Sequence, residues 1–287
     1  MAELFGFDCY SPAEIAERVE QVGVTKARLP LLSQVALGLL AGGFIGLGAM
    51  FHTLVMSDPA IPWVLARLLG GGAFSLGLIL VVVAGAELFT GNNLVVMTVV
   101  AGRIPFSRFL RILGVAYLAN FAGAAGLAGL VSLSGGWHLA GDAVGRTALG
   151  IASAKCLLPM GEAFFKGVLC NVLVCLAVWI AMAGRSVTDK VLAVILPVTA
   201  FVACGYEHSV ANMYFIPLGL LLRDAGVQGS ATISEGLTWA GFLRNLVPVT
   251  AGNLLGGAGM VGLVYWVIYR RAGAGAQPGT SGPISPL

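Results

Sequence analysis

Charge is what this chain lacks: of its 287 residues only 10% are Asp, Glu, Lys or Arg, against roughly 25% in an ordinary soluble domain. With 58% of the residues hydrophobic, so few charges cannot cover a water-facing surface, and a soluble fold is excluded. Cysteine pairing is missing too. Cys9, Cys156, Cys170, Cys175 and Cys204 form no C-x-x-C pair, and three of them lie in apolar runs. A thiol there acts as a small hydrophobe, so no metal site, redox centre or other cofactor is expected. No G-x-S-x-G or H-E-x-x-H motif occurs. His208 and Ser209 are neighbours, which point about 100° apart on a helix and cannot pair as base and nucleophile. The chain is therefore not read as an enzyme. Its 16 basic and 13 acidic residues form no basic patch, so no nucleic-acid partner is expected. Glu3 and Asp8 stand where a signal peptide would be basic, so the first span is expected to insert uncleaved.

Glycine is abundant instead. The 41 glycines follow no G-x-y period and sit within apolar stretches, the composition of closely packed membrane helices. About 20 residues cross a bilayer core, and six regions qualify. Leu31 to Met56, Ile112 to Trp137, Gly167 to Gly184 and Asn245 to Tyr269 carry no charge. Leu68 to Gly102 is interrupted only by Glu87, and Val191 to Leu222 only by Glu207 and His208. At 1.5 Å per residue each of these two is too long for one helical span, yet too short for two spans and a turn. The sequence therefore predicts an all-α membrane protein of six transmembrane helices in which spans two and five are broken. Non-helical backbone at that depth must be buried or line a cavity.

With six crossings both termini share a side. Arg18, Lys26, Arg28, Arg103, Arg108, Arg111, Arg185, Lys190, Arg270 and Arg271 fall on one face, and Arg67, Arg146, Lys155, Arg223 and Arg244 on the other. The positive-inside rule then puts both termini in the cytoplasm. Residues 1–28 form a cytoplasmic amphipathic segment: Ser11-Pro12-Ala13-Glu14 is a capping box, and Ile15, Val19 and Val22 follow at helical spacing. Docking on the core and moving against it both remain open for it. Residues 29–271 are the six-span transmembrane domain. Residues 272–287, rich in Gly, Pro, Ser and Ala, are expected to be a disordered cytoplasmic tail.

The two halves repeat. Placing Phe109-Leu110-Arg111 over Phe242-Leu243-Arg244 aligns Asn120 with Asn253 and matches 11 of 23 positions. Each broken span also has a glutamate followed five positions later by an asparagine, Glu87 with Asn92 and Glu207 with Asn212. Three crossings per half, an odd number, make the repeats inverted, an architecture that places a transport path at the midplane. A lipid-facing Glu87 or Glu207 would cost at least about 2.5 kcal/mol. Each is expected to face protein and cap the backbone N–H groups freed by its own break. His208 stands at a break and suits proton exchange, whereas His52 reads as a hydrogen-bonded filler.

AELFTGNN (residues 86–93), FFKGVLCNVLVCLAVW from Phe164 and GYEHSVANM from Gly205 resemble signature segments of the formate/nitrite transporter family. The similarity runs from about Ser11 to Arg271. The resemblance implies a homopentamer in a bacterial cytoplasmic (inner) membrane, each protomer an aquaporin-like fold with its own pore for small monovalent anions such as formate, nitrite or hydrosulfide. By resemblance, His208 is the central pore histidine and Thr90 the hydroxyl that can bond to it. Lys155 is a basic residue of the outer vestibule and Asn171 a polar residue beside the path. Glu207 and Asn212 match the glutamate and asparagine of the third motif. Two apolar constrictions are implied, Phe74, Leu78 and Val174 on one side of the histidine and Leu88 and Phe201 on the other. Taken alone, Phe74 and Leu78 read as core packing. Cys204 departs from the usual serine, a change between small side chains. Formate is the first expectation and nitrite or hydrosulfide the alternative. A membrane sensor or scaffold without flux is the reading from another class. Net direction, and channel against proton-coupled carrier, stay open.

Overall fold

The computed structural model describes residues 9–227 and 236–271, and all regular structure among them is helical. The expected tail, 272–287, lies outside them. Helix α1 spans Pro12–Arg28, α2 Leu31–Met56 and α3 Trp63–Ile79, the last running on as a π turn to Gly85. After an extended stretch come a 3-10 turn, Gly91–Val95, and the short α4, Val96–Val100. Then follow α5 (Phe106–Leu133), α6 (Leu139–Leu157), α7 (Met160–Ala183), α8 (Val187–Ala203) and α9 (Ser209–Asp224). The last is α10, Trp239–Leu254, continued by a π segment into α11, Val264–Tyr269. Among the described residues, five helices can cross a bilayer by length and composition: Leu31–Met56, Trp63–Gly85, Phe106–Leu133, Met160–Ala183 and Trp239–Tyr269. Outward-facing side chains such as Leu32, Leu133 and Leu196 are 76–87% exposed, an apolar surface that lipid covers and water does not.

Proline sets where many of these helices begin. Pro30, Pro62, Pro105 and Pro159 stand immediately before α2, α3, α5 and α7, where the fixed φ favours a start and the missing N–H loses nothing. Helix α6 falls between two of the charge-free runs, because Asp142, Arg146 and Lys155 interrupt its apolar residues. Glycine lets the long helices touch backbone to backbone. A Cβ on Gly123 of α5 would sit 2.0 Å from the Leu39 carbonyl of α2, and one on Gly256 would sit 2.2 Å from the Val168 carbonyl of α7. This contact brings Asn120 and Asn253 within reach of the chain breaks.

Helix α1 is docked on the core. Its capping box closes both ways, with the Ser11 N–H donating to Glu14 at 2.7 Å and the Glu14 N–H to Ser11 Oγ at 3.4 Å. The Ser11 N–H, and after it the Ser11 hydroxyl, hold the Glu14 carboxyl below its ordinary range. Ile15, Ala16 and Val19 pack with Leu94, Met97, Trp179 and Val261. Glu20, whose side chain is only 2% exposed, pairs with Arg103 and with Arg270, each at 3.1 Å. Replacing Glu20 by glutamine removes both pairs and leaves two arginines unmatched. It is expected to loosen α1 by about 2 kcal/mol, read as faster hydrogen exchange of the α1 amides with the other helices unchanged. Unaltered protection would show that apolar packing alone holds the helix.

Candidate functional site

Two chain breaks build the site, and each begins where glycine permits a left-handed turn. Gly85 has φ +88° and Gly205 φ +73°; the chain then runs extended, through Ala86 in the first break and to His208 in the second. Extended backbone at this depth needs partners for its freed polar groups. In the first break the Glu87 N–H donates to Leu37 O, and in the second the Glu207 N–H donates to Lys166 O, both at 3.2 Å. Asn120 accepts from the Phe89 N–H at 2.9 Å and donates to Gly38 O and Glu87 O at 2.8 and 2.9 Å. Asn253 does the same for the second break, accepting from Ser209 N–H and donating to Gly167 O and Glu207 O at 2.9, 2.8 and 3.0 Å.

The asparagines thus do what the sequence assigns to the glutamates. Among the described residues no backbone N–H reaches the Glu87 or Glu207 carboxylate; Glu87 binds a lysine and an asparagine instead, and Glu207 a lysine and two asparagines. Lys26 Nζ donates to Glu87 at 2.7 Å and to Asn92 Oδ1 at 2.9 Å, and Asn92 Nδ2 donates to Glu87 at 2.8 Å. Lys155 Nζ donates to Glu207 at 2.8 Å and Asn212 Nδ2 to Glu207 at 2.7 Å. The correction has a physical cause. A carboxylate out of water is held far better by a cation and a charge-assisted bond than by amides alone. Lys26 is the residue sequence reading missed: at the end of α1 it looks like a charge favourable to the helix dipole, and its partner is 61 positions away.

Each pair looks onto a cavity. One, of about 260 Å³, is lined by Lys155, Glu207, Arg67, His52, His208, Phe74 and Phe201 among others. The other, of about 430 Å³, is lined by Lys26, Glu87, Arg18, Lys190, Leu78 and Leu88 among others. Phe74 and Phe201 pack edge to face at 5.7 Å and belong to the first cavity together, while Leu78 and Leu88 share the second. The grouping implied by resemblance is therefore rearranged. Phe74 and Leu78 are one turn apart on α3, and one turn is about 5.4 Å, enough to move a side chain from one cavity to the other. Val174 is buried in the core and lines neither cavity.

At the first cavity His208 of the second break meets Thr90 of the first. Thr90 Oγ1 and His208 Nε2 are 3.0 Å apart, both residues buried. His208 is also the N-cap of α9, its Nδ1 accepting the Ala211 N–H at 3.0 Å. That bond requires Nδ1 without a proton, so in the neutral ring Nε2–H is the donor to Thr90. Thr90 is aimed by its own carbonyl, which takes Asn93 Nδ2 at 3.0 Å and Asn171 Nδ2 at 3.3 Å. Asn171, which also donates to Asn253 O at 2.7 Å, braces the break from behind and lines neither cavity. Asn212 likewise sits behind Glu207, bound to Asn245 Oδ1 at 2.7 Å.

The sequence profile of the formate/nitrite transporter family matches residues 13–267. The chain is 41% identical over 274 residues to the formate channel FocA of Escherichia coli K12, covering 92% of this chain and 96% of that one. Among solved structures it resembles an FNT family ion channel with a TM-score of 0.79 at 35% identity, covering 89% of this chain and 98% of the other. It also resembles a pentameric formate channel with formate bound, with a TM-score of 0.74 at 36% identity over 83% of this chain and 97% of the other. On sequence and on fold, then, the chain belongs to the formate/nitrite transporter family.

Proposed function

We propose that this chain is a multi-pass membrane pore, not an enzyme, that passes small monovalent anions, formate first, one path per protomer of a homopentamer. The relatives support this by what they are named, a formate channel and a pentameric formate channel with formate bound. Six crossings are counted by adding α8 and α9, 17 and 16 residues long, as one interrupted span to the five long helices. The like bonding of the two breaks supports reading the halves as an inverted repeat. Both termini then lie in the cytoplasm of a bacterial inner membrane, the Lys26 cavity faces inward and the Lys155 cavity faces outward.

The Thr90–His208 contact between two apolar walls carries the reading. An anion leaving water for a gap walled by Phe74 and Phe201, or by Leu78 and Leu88, loses hydration that those side chains cannot replace. Falling polarity favours its neutral acid. A formate that takes a proton from water crosses as formic acid and releases that proton beyond the second constriction. His208 contributes a hydrogen bond rather than a proton, because a ring whose Nδ1 caps α9 has only the weakly acidic Nε2–H to offer. With Nε2–H directed at Oγ1, the Thr90 hydroxyl is left to donate to the passing oxygen.

Purified protein in liposomes, assayed side by side with formate, nitrite and hydrosulfide, tests this. Formate flux is expected to equal or exceed the others. Nitrite flux well above formate would shift the substrate assignment, and no flux of any of them would overturn the pore.

A further inference from the structure

We propose that Arg67, and not Lys155, is the cation that draws anions into the outer cavity. This rests on the anion-pore reading. Lys155 Nζ lies 2.8 Å from Glu207 Oε1, with side chains 14% and 8% exposed. To an approaching anion such a pair is a short dipole whose two fields nearly cancel. Lys166 lines the same cavity and pairs with Glu162 at 3.5 Å. Arg67 lines it as well, and no ion pair joins it to a carboxylate among the described residues. The remaining titratable side chains of the lining are His52, Tyr206 and His208.

Backbone holds Arg67 in place. Its Nε donates to Ala203 O at 3.0 Å and its Nη2 to Val202 O at 2.9 Å, the last carbonyls of α8 before the chain breaks. A helix C-terminus carries about −0.5 of a charge, and here that end, with Val202, lines the cavity. Uncovered, it would repel an anion at the very mouth of the path. A guanidinium across it leaves about +0.5 on balance, while its planar fork binds two carbonyls and keeps its charge. Lys155 serves a different purpose, which is to keep Glu207 from standing beside the path as a bare negative charge.

The test is formate current in planar bilayers, with formate supplied on the face opposite an N-terminal tag. At low ionic strength Arg67→Gln is expected to lower the current about fivefold, since focused charge speeds association by factors of this order or more. The deficit should close at about 1 M salt, where the Debye length is about 3 Å. Arg67→Lys should conduct like the parent protein. Because Arg67→Gln removes a cap as well as a charge, a second experiment changes charge after assembly. In a background with the exposed Cys9 and Cys204 both changed to serine, Arg67→Cys is modified in the folded channel with a cationic or an anionic methanethiosulfonate. The cationic adduct is expected to restore current and the anionic one to depress it further. Equal currents with both adducts, or a deficit in Arg67→Gln that ignores salt and persists in Arg67→Lys, would reduce Arg67 to a helix cap. No current in the parent protein would instead overturn the pore reading itself.

Discussion

Replacing His208 by phenylalanine is expected to cut formate flux about 10- to 100-fold, with the pentamer intact and the shape of the pH profile kept. Two bonds disappear together. The Thr90 hydroxyl loses its partner at 3.0 Å, and the Ala211 N–H loses its acceptor at 3.0 Å. Leaving a buried donor or acceptor without its partner costs about 1–3 kcal/mol. A comparison variant separates the two losses. His208→Asn keeps a good N-cap acceptor, so α9 should stay seated while flux stays low. Uptake into proteoliposomes across a range of pH measures both. Parental rates in His208→Phe would remove the histidine from the mechanism, and an altered pH profile would show that the ring itself passes a proton.

Asn253→Ala is expected to destabilise the protein by about 3–5 kcal/mol, and Asn120→Ala by a similar amount. Each side chain is fully buried and bonds three backbone groups at 2.8–3.0 Å. Leaving a buried backbone group unsatisfied costs about 1–3 kcal/mol, and in each break an N–H and a carbonyl freed from helical bonding lose their side-chain partner together. Aspartate at the same positions keeps the acceptor and loses both donors, so Asn253→Asp should fall between parent and alanine. Thermal unfolding in detergent reads the loss. If both alanine variants unfolded within about 1 kcal/mol of the parent protein, the breaks would owe their shape to packing rather than to these amides.

The glutamates show how far local pattern reaches. Glu87 with Asn92 and Glu207 with Asn212 are visible as a repeated spacing of five, and in both pairs the asparagine amide does bind the carboxylate. Their lysines are invisible to the same reading. Lys26 is 61 positions from Glu87 and Lys155 is 52 from Glu207, and the loops between differ in length, so no single offset aligns the two triads. The same holds for Arg67, whose partners Val202 and Ala203 are 135 and 136 positions away. Phe74 and Leu78, grouped by resemblance alone, line different cavities. They stand one turn apart on a helix, and where that face passes from one cavity to the other depends on what α8 and the first break bring against it.

Composition by itself determined that the chain lies in a bilayer, because so few charges cannot solvate so much apolar residue. The interrupted hydrophobic runs marked where the helices give way to polar segments, since acids in such runs need a reason to be there. Tertiary structure alone decided which charges cancel and which remain. Lys155 and Lys26 are neutralised by glutamates and Arg67 is not, a distinction set by distances of 2.7 and 2.8 Å between residues remote in sequence. Coulomb energy depends on separation in space, and in a chain that folds by packing helices on glycines, separation along the sequence does not report it.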